Sequence, residues 1–303
     1  MIRKTFSESE SACEATFLRG GGRYWHAYTD GRRTELLFKD IEDYAFAMNV
    51  IAQAADVCNE LKLMAFAVMS NHFHFVLSSE SEGLVFDFFA FIRKRVSRSI
   101  PEIRSISLSV KPIDNLQSLR NNIVYTNRNG YVADPGHTPF SYPWGTGRYY
   151  FNDIPTYHLM SEIRTDARRL MFRGRAPALP GDWSVIDSYV APSSYCTVKF
   201  GMAMFRDAHH YFAMVSKNVE AYSSVAADID DEEFLTDTEL FARLSAVIKA
   251  RYQLTALRDL SKAQRLDLAR TLHYDFRSSN GQIRRVLGLS QYEVNSLFPL
   301  SAK

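Results

Sequence analysis

The spacing of apolar residues alternates along the first half of the chain between the two-residue period of strands and the longer period of amphipathic helices. Strand-like stretches cover residues 23–29, 64–77 and 106–110, and helix-like stretches cover residues 40–61, 83–100 and a segment starting near residue 115. The order β-α-β-β-α-β-α predicts an α+β fold. We expect a ferredoxin-like antiparallel sheet with helices on one face.

Helical spacing dominates the second half and predicts a mostly α-helical C-terminal region. Residues 174–192 are the exception, because their Pro and Gly content is typical of a linker or loop. At the end of the chain, helices are predicted over residues 263–274, 281–287 and 291–297, with Gly288 in the turn before the last. This pattern is similar to a helix-turn-helix. A helical hairpin that serves only packing is the alternative.

These patterns divide the chain into four segments. We predict a flexible N-terminal arm over residues 1–22, a catalytic domain over 23–152, a helical extension with a Pro/Gly-rich loop over 153–260, and a helix-turn-helix-like segment over 261–303.

Two histidines lie within the second strand-like stretch. In a strand, His72 and His74 would point to one side and Phe73 and Phe75 to the other. We expect the two phenylalanines to face the core. Two imidazoles about 7 Å apart along one strand can bind one metal ion or one phosphate. A structural histidine pair on a half-exposed strand is the alternative, and it is the more frequent outcome for an isolated His-x-His.

A second polar constellation lies in residues 123–130. If this segment is helical, Tyr125 and Asn129 stand one turn apart on the same face. A phenol and an amide oxygen can then face the two histidines together.

Together, the two stretches resemble the HUH single-tyrosine transposases, and most closely the REP-associated tyrosine transposase branch. The family's His-hydrophobic-His motif falls on His72-Phe73-His74 within a Met-x-Asn-His-x-His frame. Residues 24–44 and the Tyr142-Pro143-Trp144 corner are also similar to the family, and the resemblance covers about residues 20–150.

The resemblance implies a function and a set of site residues. Tyr125 would be the catalytic nucleophile, and His72, His74 and Asn129 would bind a divalent metal, Mg²⁺ or Mn²⁺. The expected reaction is metal-dependent cleavage and rejoining of single-stranded or hairpin DNA through a 5′-phosphotyrosine intermediate. Coordination chemistry alone leaves Zn²⁺ open, but Mn²⁺ accepts both imidazole and amide ligands and is preferred.

Two features depart from the family, and two other functions stay open. The family has Asn-Pro where this chain has Asn129-Gly130, and the long C-terminal half has no counterpart in the compact family core. One alternative is a domesticated, non-catalytic DNA-binding protein derived from a transposase. The other is a zinc hydrolase that uses the same histidines and a bound water.

Candidate DNA contacts lie outside the histidine and tyrosine motifs. They are the cations near the end of the 83–100 helix and polar residues of the last helix, namely Arg93, Lys94, Arg95, Arg98, Gln291, Tyr292 and Asn295. Cations in a last helical turn also favour the helix dipole whatever the function.

Composition limits these interpretations. The 303-residue chain has a formal net charge of only +2, so any DNA contact must come from local patches. Its three cysteines are widely spaced, which suits a reducing cytoplasm. The sequence contains no run of about 18 apolar residues, which a membrane-spanning helix would need. We therefore expect a cytoplasmic monomer or homodimer that binds DNA and no membrane.

Overall fold

The computed structural model describes residues 6–21, 23–31, 36–133, 137–138, 140–154, 158–217, 225, 237–274, 276, 278 and 280–298. The chain divides into a first unit, Met1–Asp231, and a second unit, Glu232–Lys303. The predicted α+β class is confirmed, because the first unit combines antiparallel sheets with helices.

The first unit is built on a four-stranded sheet. Its strands are β1 (Tyr24–Thr29), β2 (Lys62–Val68), β3 (Phe73–Ser78) and β4 (Leu108–Ile113). The strand order is β2-β3-β1-β4, and every neighbouring pair is antiparallel. Helix α2 (Ile41–Val57) connects β1 to β2, and α3 (Glu82–Val96) connects β3 to β4. This is the ferredoxin-like arrangement that the sequence predicts.

Side-chain caps and aromatic packing place the two connecting helices. Asp40 accepts a hydrogen bond from the backbone N–H of Asp43 at the start of α2, and Ser81 does the same for Leu84 at the start of α3. On the sheet, Phe73 packs edge-on against Phe89 and Phe75 against Phe88, with ring centroids 6.2 and 5.4 Å apart. Helix α3 therefore covers the phenylalanine face of β3.

Helix α4 (Leu116–Ala133) lies on the other face of the sheet, which departs from the expectation of helices on one face. It begins after Asn115, whose side chain accepts from the N–H of Ser118. The Tyr125 ring of α4 packs against His74, which points away from Phe73 and Phe75. Both faces of β3 are consequently buried along its whole length.

The N-terminal segment also differs from the prediction of a flexible arm. Residues Phe6–Arg19 form helix α1, and its Cys13 and Phe17 are buried in the core of the first unit. Phe17 stacks on Tyr24 at 4.9 Å, and the Tyr24 hydroxyl donates to the Phe17 carbonyl at 2.7 Å. The apolar stripe of α1 is narrow and most of its residues are polar. The hydrophobic pattern therefore does not predict this helix.

A buried ion pair fixes α1 against α4. Arg120 is only 2% exposed, and its guanidinium donates to both carboxylate oxygens of Glu10, at 2.6 and 3.2 Å. Arg206 donates to the same carboxylate at 3.4 Å. Hydrogen bonding and charge from Arg120 lower the pKa of Glu10, since they stabilise the carboxylate form.

Glu10→Gln is expected to destabilise the protein by about 3 kcal/mol at pH 7, because it leaves the buried Arg120 without its carboxylate. The folded-state pKa of Glu10 is lowered, so its stabilisation is present above the unfolded value and is lost as the pH falls through the folded value. Chemical denaturation at pH 7 and pH 3 measures both effects. Glu14→Gln, on an exposed position of the same helix, is the control and should cost less than about 0.5 kcal/mol.

The remaining elements of the first unit pack against α2, β2 and α4. Its elements are β5 (His158–Leu159), α5 (Thr165–Met171), β6 (Ser184–Ile186), β7 (Tyr189–Val190), α6 (Pro192–Tyr195), α7 (Val198–Met202) and α8 (Ala208–Lys217). The buried Asn49 of α2 donates to the carbonyls of Met171 and Ser188 and accepts from the N–H of Val190. Two short strands thus lie inside the Pro/Gly-rich region predicted as a loop.

The second unit is helical in its described residues. Its helices are α9 (Asp237–Tyr252), α10 (Lys262–Tyr274), α11 (Asn280–Leu287) and α12 (Gln291–Leu297). The last three agree with the predicted helices, and Gly288 adopts a φ of +63° in the turn between α11 and α12. In neither unit does the described part of the chain contain a helix long and apolar enough to cross a membrane.

Candidate active site

The predicted histidine pair lies at the hairpin between β2 and β3. The stretch predicted as a continuous strand instead turns over residues 69–72, where the N–H of Met69 donates to the carbonyl of His72 at 2.9 Å. His72 ends this turn and His74 lies in β3. Their ring centroids are still only 4.9 Å apart, and both side chains are buried. The turn therefore keeps the two imidazoles together.

Tyr125 meets this pair from α4. Its ring packs edge-on against His74 at 5.4 Å and against His26 of β1 at 5.9 Å, and it is fully buried. The structure thus brings the predicted nucleophile into contact with one of the predicted metal ligands across two separate elements.

Contacts next to Asn129 hold the end of α4 against β2. Gly130 lies flat against the Tyr142 ring, because a Cβ built there would be 2.0 Å from Tyr142 Cδ1. The Tyr142 hydroxyl donates to the carbonyl of Val68, the last residue of β2. Asn129 is fully buried one turn after Tyr125. The helix continues past Gly130 to Ala133.

A second pair of side chains from β1 completes the cluster. His26 Nε2 lies 3.3 Å from His74 Nδ1, and the Tyr28 ring stacks on His74 at 6.4 Å. Neither residue was predicted as a metal ligand or as the nucleophile. The signal was present, since His26 and Tyr28 are two residues apart on a strand and so share a face.

The donor types in this cluster suit a divalent ion. Two imidazoles and the amide oxygen of Asn129 form a mixed nitrogen and oxygen set of the kind that Mn²⁺ and Zn²⁺ accept. Among the described residues, no group of three or more His, Cys, Asp or Glu side chains is placed to hold a metal ion. A metal bound by His72 and His74 would therefore need a further ligand of another type, and Asn129 is the residue predicted for that role.

Val225 covers the phenol in this structure. Tyr125 and Val225 form a small buried cluster, and Tyr28 packs against both. This contact was not predicted, because a single valine distant in sequence carries no motif.

The predicted cations of α3 do not join the site, because α3 covers the opposite face of the sheet. Arg93 donates to the carbonyl of Ile106, and Arg95 donates to Gln53. A separate groove of about 650 Å³ is lined by four cations, Lys94, Arg95, Arg98 and Arg175, by the Asp56 carboxylate, and by further side chains of α2, α3 and the 176–178 loop. The ion pairs found among the described residues do not include Lys94, Arg98 or Arg175.

The predicted groove-reading residues of α12 differ in exposure. Gln291 is exposed and Tyr292 is 83% exposed. Asn295 is half-buried, and its side-chain oxygen accepts from Asn280 at 3.1 Å and from Gln291 at 2.8 Å. Asn295 thus also joins α11 to α12 within the second unit.

Comparisons with known proteins give one partial similarity. No family model and no curated protein matches the sequence. A solved structure of a REP-associated tyrosine transposase bound to a REP hairpin is similar over 55% of this chain and 94% of that chain. The two share 15% sequence identity with a TM-score of 0.35, values too low to support a functional conclusion.

Proposed function

We propose that this protein is an HUH-type tyrosine transposase, a metal-dependent enzyme that cuts and rejoins single-stranded DNA through Tyr125. The observation that carries the proposal is the buried contact between Tyr125 and His74, with His72 and His26 beside them. A tyrosine placed among imidazoles by different elements suits phosphodiester cleavage with tyrosine as the nucleophile, and packing alone does not require it.

The proposed reaction balances without ATP. Tyr125 Oη attacks phosphorus, a 5′-phosphotyrosine bond forms, and the 3′ oxygen leaves and takes up a proton as a hydroxyl. Attack by a 3′ hydroxyl on the phosphotyrosine reverses the step and rejoins the strand. A tyrosine hydroxyl is a weak nucleophile because its ordinary pKa is about 10. A divalent ion held by His72, His74 and Asn129 would neutralise charge on the phosphate oxygens.

The cover over Tyr125 has a consequence for this reaction. Tyr125 is fully buried with Val225 packed against it, so a scissile phosphate reaches Oη only after residues around the phenol move. The same burial favours the second candidate function, a DNA-binding protein derived from a transposase that no longer cuts. Incubation with single-stranded hairpin oligonucleotides and Mn²⁺ separates the two, because only the transposase cleaves.

We further propose that the groove of Lys94, Arg95, Arg98 and Arg175 binds the phosphate backbone of the same DNA. Three of these cations have no carboxylate within ion-pair distance among the described residues, so their charge is available to a polyanion. Since the groove lies on the sheet face away from Tyr125, it would hold DNA remote from the scissile bond.

Charge reversal in this groove is expected to weaken DNA binding. It should also make the binding constant less dependent on salt concentration. Lys94→Glu, Arg98→Glu and Arg175→Glu combined should reduce the slope of log K against log salt by roughly 2 to 3, at about 0.7–0.9 per lost phosphate contact. Fluorescence anisotropy over a salt series measures the slope. A control with Arg164, Arg169 and Lys199 changed to Glu makes the same charge change on exposed residues elsewhere. Equal slopes in the two variants would exclude the groove.

We also propose that the second unit binds DNA through α12. Residues 261–303 contain seven Lys and Arg against three Asp and Glu, although the whole chain has a net charge of only +2. The exposed Gln291 and Tyr292 at the start of α12 are available to a DNA groove.

Gln291→Glu combined with Tyr292→Ala should weaken binding to a duplex or hairpin stem by about tenfold, since it removes a base-reading amide and adds a charge that repels phosphate. Both positions are exposed, so the fold should be retained. Ala246→Glu on α9 adds the same single charge at another exposed position and serves as the control. If both proteins bind the stem with the affinity of the wild type, α12 is a packing helix only.

A further inference from the structure

Asn71 links the turn before β3 to the end of β1. Its side-chain Nδ2 donates to the carbonyl of Gly31 at 2.7 Å, and its Oδ1 lies 2.7 Å from His72 Nδ1. The carbonyl of Gly31 can only accept a hydrogen bond, so the amide group of Asn71 must be oriented with its nitrogen towards Gly31.

This orientation determines which nitrogen of His72 carries the proton. Asn71 Oδ1 is an acceptor, so His72 Nδ1 must be the donor of the 2.7 Å hydrogen bond. In the neutral ring, the lone pair then lies on Nε2. Metal-binding histidines commonly have their other ring N–H held in this way by a neighbouring acceptor.

Gly31 adds a steric component to the same arrangement. A Cβ built on Gly31 would lie 2.6 Å from His72 Nδ1 and 3.0 Å from Cγ. The backbone of Gly31 has no positive φ, so its conformation does not itself require glycine. Glycine is therefore needed at this position for the space that the imidazole occupies.

We propose that Gly31 and Asn71 form a cradle that positions His72, holding its ring as the Nδ1–H tautomer with Nε2 presented to the divalent ion. The proposal rests on the proposed function for the identity of that ion. His74 is oriented in a corresponding way, because its Nδ1 faces His26 Nε2 at 3.3 Å. In both histidines, therefore, Nδ1 is the ring nitrogen that contacts a neighbouring side chain. Gly31 and Asn71 are positioning residues, since they act through His72.

The tautomer can be measured in the metal-free protein. Nitrogen chemical shifts of ¹⁵N-labelled histidines at pH 8.5, where an ordinary imidazole is neutral, distinguish the protonated from the unprotonated ring nitrogen. We expect wild-type His72 to carry its proton on Nδ1. Asn71→Leu removes the acceptor and Gly31→Ala displaces the ring, so both variants should show a mixture of tautomers. A wild-type His72 protonated on Nε2 would overturn the proposal.

Metal affinity provides the second readout. Titration with Mn²⁺, followed by electron paramagnetic resonance of the free ion, should show affinity reduced by about 10- to 100-fold in Asn71→Leu and Gly31→Ala. Gly83→Ala is the matched control, because a Cβ there meets only Ser81 Oγ at 3.7 Å. If Gly31→Ala does not fold, Asn71→Leu still decides the outcome.

The two proposals fail in different ways. An Asn71→Leu variant with the wild-type tautomer and wild-type Mn²⁺ affinity would overturn the cradle while leaving the metal site in place. A wild-type protein with the Nδ1–H tautomer that binds no Mn²⁺ would support the cradle and contradict the metal-dependent function.

Discussion

Tyr125→Phe is expected to abolish strand cleavage, with a loss on the order of 10⁴-fold or more, while DNA binding stays within about twofold of the wild type. The substitution deletes the attacking oxygen and keeps the ring that packs against His74 and Val225. The free energy of unfolding should therefore change by only about 1 kcal/mol. Single-turnover cleavage of a hairpin oligonucleotide with Mn²⁺, together with an anisotropy titration, measures both properties.

Tyr24→Phe is the matched control for this experiment. Tyr24 is another buried tyrosine of the first unit, and its hydroxyl donates to the Phe17 carbonyl rather than contacting the histidines. Its loss should cost about 1 kcal/mol of stability and leave cleavage unchanged. A Tyr125→Phe protein that cuts at a rate comparable with the wild type would favour the zinc-hydrolase alternative, in which water attacks.

His74→Gln is expected to remove both Mn²⁺ binding and cleavage. The imidazole of His74 is fully buried between His26, Tyr28 and Tyr125, and glutamine keeps most of its volume without the ring nitrogen that a metal prefers. We expect Mn²⁺ affinity to fall by at least about 100-fold, since changes of even the supporting residues cost 10- to 100-fold. Isothermal titration with Mn²⁺ and the cleavage assay measure the two effects.

The His74→Gln and Tyr125→Phe variants separate the two roles in the site. The nucleophile variant should bind Mn²⁺ as the wild type does, whereas the ligand variant should not. Thermal unfolding of both proteins shows whether the fold is retained. A folded His74→Gln variant that still cuts with unchanged dependence on Mn²⁺ would remove His74 from the metal site.

The ferredoxin-like sheet was predictable from the sequence because its strands and helices have different spacings of residue types. Alternating residues define β1 and the hairpin strands, and helical spacing defines α2 and α3, so local periodicity carries the topology. The helices of the second unit were predictable for the same reason, with Gly288 marking the turn. The metal and DNA assignments remain predictions, since they depend on chemistry that the fold alone does not test.

Features that depend on tertiary contacts were not predictable. The position of α4 on the second face follows from Tyr125 packing on His74, and α1 is held by the Glu10–Arg120 ion pair rather than by a strong apolar stripe. The turn over residues 69–72 was not predicted, because the residues on either side of it are apolar and favour strands. Short strands such as β7 carry too few residues for a period to be recognised.

The proximity of His72, His74 and Tyr125 was predictable, whereas the contacts that support them were not. His72, His74, Tyr125 and Asn129 are marked by residue type and spacing. In contrast, Asn71 acts through a hydrogen bond with His72. The direction of that bond is set by the carbonyl of Gly31, which follows β1 in the chain. Val225 acts by packing, and Gly31 acts by leaving space for the His72 ring. Neither effect has a sequence motif.

Capture of the covalent intermediate tests the central claim most directly. A single-stranded hairpin oligonucleotide labelled at its 3′ end keeps its label on the protein if Tyr125 attacks, because the 5′ phosphate of the labelled fragment becomes attached to the tyrosine. With Mn²⁺, we predict a labelled protein band that survives denaturation, and peptide mapping that places the DNA on Tyr125. Cleavage of the oligonucleotide with no labelled band, or a band attached to a different residue, would contradict the account.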